Sequence, residues 1–175
     1  ALMTTSYQNV SKIDMDGRLV QADPFDMGAG HVTGGKINKR SFLQPGIVYD
    51  AGYSDYIAFL CGELSPELLS DLYKPTITCE ELETQGKSTE ATNLNYPSIG
   101  ISSINGRETV TRKVTSVAKE KGYREYKAVV VSPEGYEVSV KPSTIRLKQG
   151  ETVPFEVTAT NVYSPLDMWR FGSLT

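Results

Sequence analysis

The stretch Tyr136-Glu137-Val138-Ser139-Val140-Lys141 alternates apolar and polar side chains at every step. A period of two puts Tyr136, Val138 and Val140 on one face of an extended strand and leaves the other face to water. The same pattern spreads outward from it. Ile145 and Leu147 follow it downstream, as do Val153, Phe155, Val157 and Ala159. Upstream, residues 110–117 are rich in Val and Thr, and residues 126–131 are β-branched and aromatic. Pro133-Glu134-Gly135 and Gln149-Gly150-Glu151 mark turns between these runs. Short alternating strands with no helix among them predict an antiparallel β-sandwich.

Before residue 93 the period is different. Residues 80–92 are polar and read as a linker or surface loop. Ser65-Pro66-Glu67 predicts a helix start, with a capping serine, proline at the first helical position and an acid in the first turn. Leu68, Leu69 and Leu72 would be its apolar stripe. Ser54 is the expected cap of a helix over 55–61, with Gly62 as its stop. A short helix over 36–43 would end at Pro45-Gly46. Residues 23–30, with one Pro and two Gly, read as a loop. Ala1 to Thr5 reads as the tail of a helix.

Composition narrows the function. The chain has 175 residues, 39% apolar and 22% charged, with a net charge of −3. That is a globular composition, long enough to bury a core without metals or disulfides. The 18 basic residues are scattered among 21 acidic ones, which argues against a nucleic-acid partner and a polybasic membrane surface. No run of apolar residues is long enough to span a bilayer. The start Ala1-Leu2-Met3 reads as a cut inside something longer.

Individual motifs are weak. The spacing from Gly30 to Lys36 matches a phosphate-binding loop, but Ile37 stands where Ser or Thr should hold Mg²⁺, and Ala22-Asp23-Pro24 is not a buried strand. His31 lacks a nucleophile motif to serve, and reads as a structural loop residue. Glu80, Glu81 and Glu83 read as a solvated face. His31, Cys61 and Cys79 do not make a zinc site, and no cofactor is expected. Cys61 and Cys79 allow one disulfide or two free thiols. Asn9-Val10-Ser11 is an N-glycosylation acceptor triplet if the protein is secreted.

Blocks of sequence in order say more than any one motif. Ala1-Leu2-Met3-Thr4-Thr5 is followed by residues 24–32 (Pro-Phe-Asp-Met-Gly-Ala-Gly-His-Val), by Pro45-Gly46-Ile47-Val48-Tyr49-Asp50, then by Asp55-Tyr56 and Phe59-Leu60-Cys61. Leu94-Asn95-Tyr96-Pro97-Ser98-Ile99, residues 110–115 (Val-Thr-Arg-Lys-Val-Thr) and Phe171-Gly172-Ser173-Leu174-Thr175 complete the series. Over its whole length the chain resembles the C-terminal third of plant-type, cucumisin-like subtilases, which are subtilisin-like serine endopeptidases.

The resemblance implies an α+β fragment of the catalytic domain over 1–83, a linker over 84–92 and an all-β fibronectin type III-like sandwich over 93–175. It places the triad and the oxyanion-hole Asn upstream of Ala1, and His31 in a structural block, so the chain would hold no catalytic residue and would not be an enzyme by itself. The parent would be a secreted endopeptidase of the extracellular space or cell wall, acting on proteins and peptides. The partner of this chain would be the rest of the catalytic domain. The resemblance also implies a Cys61–Cys79 disulfide. The family usually continues past Phe-Gly-Ser-Leu-Thr, so the sandwich is expected to lack its last strand, and Lys119-Glu120-Lys121-Gly122 departs from the family's Gly/Asn-rich turn. The rival reading is a stand-alone β-sandwich binding or adhesion module with a non-catalytic extension.

Overall fold

Val110 and Val114 meet Phe155 and Val157 on the neighbouring strand, and Leu147 joins them to form the centre of the larger core. The computed structural model describes residues 1–34, 41–73, 76–119, 121–165 and 167–175. Residues 2–5 form turns where a helix tail is expected, because the Thr4 and Thr5 hydroxyls both donate to the Ala1 carbonyl and compete with a helix. An antiparallel hairpin follows, β1 (Ser11–Ile13) with β2 (Leu19–Gln21), and Ile13 stands opposite Leu19.

Local capping chemistry corrects several sequence expectations. Within the expected loop over 23–30, α1 (Pro24–Met27) makes a single helical turn. The Asp23 carboxylate accepts from the Phe25 and Asp26 N–H groups, and the Asp26 carboxylate accepts from Asp23 N–H. The helix expected over 36–43 lies mostly outside the described residues; its end, from Ser41, is a bridge to Gly34 and a turn. After β3 (Ile47–Val48) comes α2 (Tyr53–Glu63), which starts at Gly52 and not at Ser54. The Asp55 carboxylate takes the Gly52 N–H at 2.9 Å.

Gly62 sits inside α2 and does not stop it. A Cβ there would run into the Thr89 carbonyl oxygen, so the glycine serves close approach and not chain reversal. In α3 (Pro66–Leu72) the Ser65 hydroxyl accepts from Leu68 N–H, as its sequence predicts. Leu69 is buried and Leu68 exposed; the Leu72 side chain lies outside the described residues.

The expected loop over 80–92 contains α4 (Cys79–Thr84). Thr78 and Glu81 form a reciprocal capping box, and Leu82 is fully buried against Ile57 and Ala58 in a second, smaller core. A disulfide from Cys61 to Cys79, with Cα atoms 5.8 Å apart, joins α2 to α4 beside that core. A 3-10 turn over Ala91–Asn93 then leads into the strands.

The strands are β4 (Arg107–Ser116), β5 (Arg124–Lys127), β6 (Val130–Val131), β7 (Tyr136–Lys141), β8 (Thr144–Leu147), β9 (Thr152–Asn161) and β10 (Ser173–Leu174). One antiparallel sheet runs β3-β4-β9-β7, and two smaller ladders pair β5 with β8 and β10 with β6. Ile145 and Leu147 of β8 and Leu174 of β10 pack on the core, which makes this half two-layered. Backbone direction explains the split ladder. Ala128 N–H donates to Ser143 while the next amide, Val129, donates the opposite way to Thr175.

Candidate functional site at the junction of the two halves

Sequence order makes Leu-Asn-Tyr-Pro-Ser and Val-Thr-Arg-Lys-Val separate blocks, but folding brings them side by side. Arg112 lies on the inward phase of β4 between Val110 and Val114, and is only 3% exposed. Among the described residues it meets no carboxylate at salt-bridge distance. Its guanidinium donates to backbone carbonyls: Nε to Tyr96 at 3.0 Å, Nη1 to Thr92 at 2.7 Å and Thr111 at 2.9 Å, and Nη2 to Ser98 at 3.1 Å. A planar fork with five N–H groups can grip one loop at several points, which a lysine cannot. Burial lowers the Arg112 pKa, and the same burial raises that of Tyr49, with the Arg112 charge pulling Tyr49 back down.

Two asparagines continue the grip along the outer edge of β4. Asn93 Oδ1 accepts from Thr111 N–H at 2.9 Å, and Asn95 Oδ1 accepts from Lys113 N–H at 2.7 Å. The Asn95 amide also donates to the carbonyls of Asp50 and Lys113. Farther along, β3 pairs with Thr115 and Ser116, and Val117 N–H donates to Gly46. An edge that would otherwise offer free amides is therefore covered by two side chains and a strand from the first half.

Beyond the edge, Tyr49 meets Phe155 edge-on at 6.4 Å. Lined in part by Tyr49, Tyr56, Asn95 and Tyr96, a cavity of about 250 Å³ lies where residues 1–4 approach this contact. On another side, Phe25 packs edge-on against Trp169 at 5.0 Å and Phe171 at 5.4 Å, although it remains 67% exposed.

The other candidates are placed apart from this junction. His31 is exposed and exchanges two backbone hydrogen bonds with Tyr7. A Cβ at Gly30 would strike the Tyr7 carbonyl, so that glycine serves strand approach; Gly35, Lys36 and Ile37 lie outside the described residues. Asn9 is exposed. Glu80, Glu81 and Glu83 are exposed too, and no group of His, Cys, Asp and Glu among the described residues could hold a metal ion. Sequence reasoning missed Arg112, and the signal was there: a charged residue on the apolar phase of a strand needs a buried partner.

Comparison with known proteins fits this geometry. Residues 93–175 match the family model for the Fibronectin type-III domain. The chain is 38% identical over 167 residues to a subtilisin-like serine protease of Lotus japonicus, covering 94% of this chain and 20% of the relative. A subtilisin-like protease of Arabidopsis thaliana is 34% identical over 194 residues, with 99% and 21% covered. This chain is a C-terminal portion of a plant-type subtilase. The subtilase portion spans about a fifth of the length of the curated relatives it matches. A third relative, the CO(2)-response secreted protease of Arabidopsis thaliana, is 33% identical over 184 residues, with 100% of the subtilase portion and 23% of the relative covered.

Proposed function

We propose that residues 1–83 complete the outer layer of a subtilisin-like catalytic domain, that 84–92 link it onward, and that 93–175 form its fibronectin type III-like support. The chain's role is to pack against the rest of a secreted serine endopeptidase and stabilise it; the endopeptidase acts on proteins and peptides by acyl-enzyme chemistry. The triad and the oxyanion donors belong to the upstream part, and none is carried by residues 1–175. The carrying observation is the junction. From before residue 93, β3 pairs with the end of β4, the Gly46 carbonyl takes the Val117 N–H and the Asp50 carbonyl takes the Asn95 amide, which speaks for a brace and against an independent adhesion module with a loose extension. Secretion is supported by the relative named as a secreted protease and by the exposed Asn9 triplet, which we assign as a glycan acceptor. No helix of the described residues is long and apolar enough to cross a membrane.

A fusion tests this. Joined behind the upstream four-fifths or so of the Lotus relative, the chain should yield secreted protein that a fluorophosphonate probe labels and that cleaves peptides. The 175-residue chain alone should take no label. Equal activity from the upstream part with this chain deleted would overturn the supporting role. Labelling of a serine within residues 1–175, lost on His31→Ala, would make the chain an enzyme in its own right.

A further inference from the structure

The turn that feeds β4 contains Asn105-Gly106, both exposed, with Gly106 at φ +90°. Gly106 N–H and the Asn105 side-chain amide make no hydrogen bond among the described residues. Every other described asparagine differs. Asn93, Asn95 and Asn161 hold their amides in hydrogen bonds and precede Leu94, Tyr96 and Val162. Asn9 precedes Val10, whose N–H donates to Gln8. The aspartate followed by glycine, Asp16, is also blocked, because Gly17 N–H donates to the Asp14 carbonyl.

We propose that Asn105 is a self-modification site, converted through a cyclic imide to aspartate and isoaspartate. The Gly106 backbone nitrogen, having lost its proton to water or base, attacks the Asn105 side-chain carbonyl carbon. A carbon–nitrogen bond forms, the bond to the side-chain nitrogen breaks, and ammonia leaves with the proton returned. Water then opens the five-membered imide at either carbonyl. Glycine permits the approach because no Cβ crowds the attacking nitrogen, and a free N–H can be deprotonated where a donated one resists.

The structure also gives the modification a consequence. Asn161, at the end of β9, takes hold of this turn from both sides, its N–H donating to the Gly106 carbonyl at 2.7 Å and its side chain to the Ile104 carbonyl at 3.4 Å. The same side chain pairs with Ser164. Isoaspartate inserts a methylene into the main chain between those two carbonyls, so the grip of Asn161 is lost. The site acts as an ageing clock on the outer turn of the sandwich.

The test is peptide mapping of the 175-residue protein held at neutral and mildly alkaline pH. The tryptic segment ending at Arg107 should gain about one dalton per event. An isoaspartate methyltransferase with a labelled methyl donor should tag that segment. Because the deprotonated amide reacts, the rate should climb about tenfold per pH unit. Asn105→Gln should bring both signals in that segment to background, and amide exchange at Asn161 and Ser164 should speed up only in the converted wild type. The proposal is overturned by a mass gain on Asn93 or Asn95 instead, by aspartate without isoaspartate, or by a folded chain that stays unchanged while a peptide of the same sequence converts.

Discussion

A single arginine does the most specific work at the junction. Arg112 is a charge placed where the strand's period calls for valine, and its desolvation is tolerated because four carbonyls replace water. Arg112→Ala strips the Thr92, Tyr96 and Ser98 carbonyls of their donor, and should cost about 3–5 kcal/mol. Arg112→Lys should recover little of it, since one ammonium cannot reach three spaced acceptors. Urea midpoints of the three proteins measure this; equal midpoints for wild type and Arg112→Lys would show that charge alone suffices.

Asp55 is the other residue with an assigned task. Burial alone would push its carboxyl up, but the hydrogen bond from Lys87 at 2.6 Å, the Gly52 N–H and the charges of Lys87 and Lys113 hold it below the ordinary carboxylate value. A carboxyl depressed in the folded state adds stability above its unfolded pKa. That stability is lost as pH falls below the ordinary aspartate value of 3.8 and on through the lower folded one. In Lys87→Met the acid-side decline in the urea midpoint should be shallower than in wild type, with the two curves meeting at low pH.

Elements show what was legible and what was not. The strands from 107 to 161 follow a period of two because each lies half-buried on a sheet, and that pattern is written in the residues themselves. The Ser65-Pro66 helix start is equally local. Gly62 was misleading because its reason, the Thr89 backbone, lies in a different part of the chain. Residues 80–92 read as loop although α4 runs through 84, because one buried leucine, Leu82, is too little for an apolar stripe; the Thr78-x-x-Glu81 box was the available signal. The junction was the least legible part, since Asn95 and Arg112 acquire meaning only once β4 lies beside residues 92–98.

The disulfide belongs to this scale as well. It ties α2 to α4 across 18 residues of sequence and flanks a core that, among the described residues, holds three buried ones, Ile57, Ala58 and Leu82. Closing a loop of that length should be worth about 3 kcal/mol in the chain-entropy model. We expect protein from a secretory host to show no alkylated cysteine unless reduced. Reduction should loosen residues 53–90 while leaving the β4–β9 ladder intact. Two alkylated cysteines in the unreduced protein would refute the pairing, and a sandwich that melts together with the helices would refute the localisation.

At the scale of the molecule, the two ends of the chain are held by different amounts of core. Among the described residues, 107–161 bury six apolar side chains, five of them in one core cluster wrapped by a further layer of half-buried ones. Residues 1–34 bury one apolar side chain, Ala22, together with the small polar groups of Thr5, Ser6 and Thr33, and expose Ile13, Met15, Leu19 and Phe25. Apolar surface left in water adds nothing to stability, so this first segment opens at low cost while the sandwich opens only on global unfolding. Hydrogen exchange on the isolated chain should therefore be fastest over residues 1–34 and slowest in β4 and β9. Residues 53–63 should fall between, anchored by the disulfide and by Leu82. In the fusion with an upstream catalytic segment, protection over residues 1–34 should rise towards that of the sandwich if, as proposed, that segment is their packing partner. Slow exchange across both halves of the isolated monomer would contradict the uneven fold. No gain in the fusion would contradict the assignment of residues 1–83 to a catalytic domain.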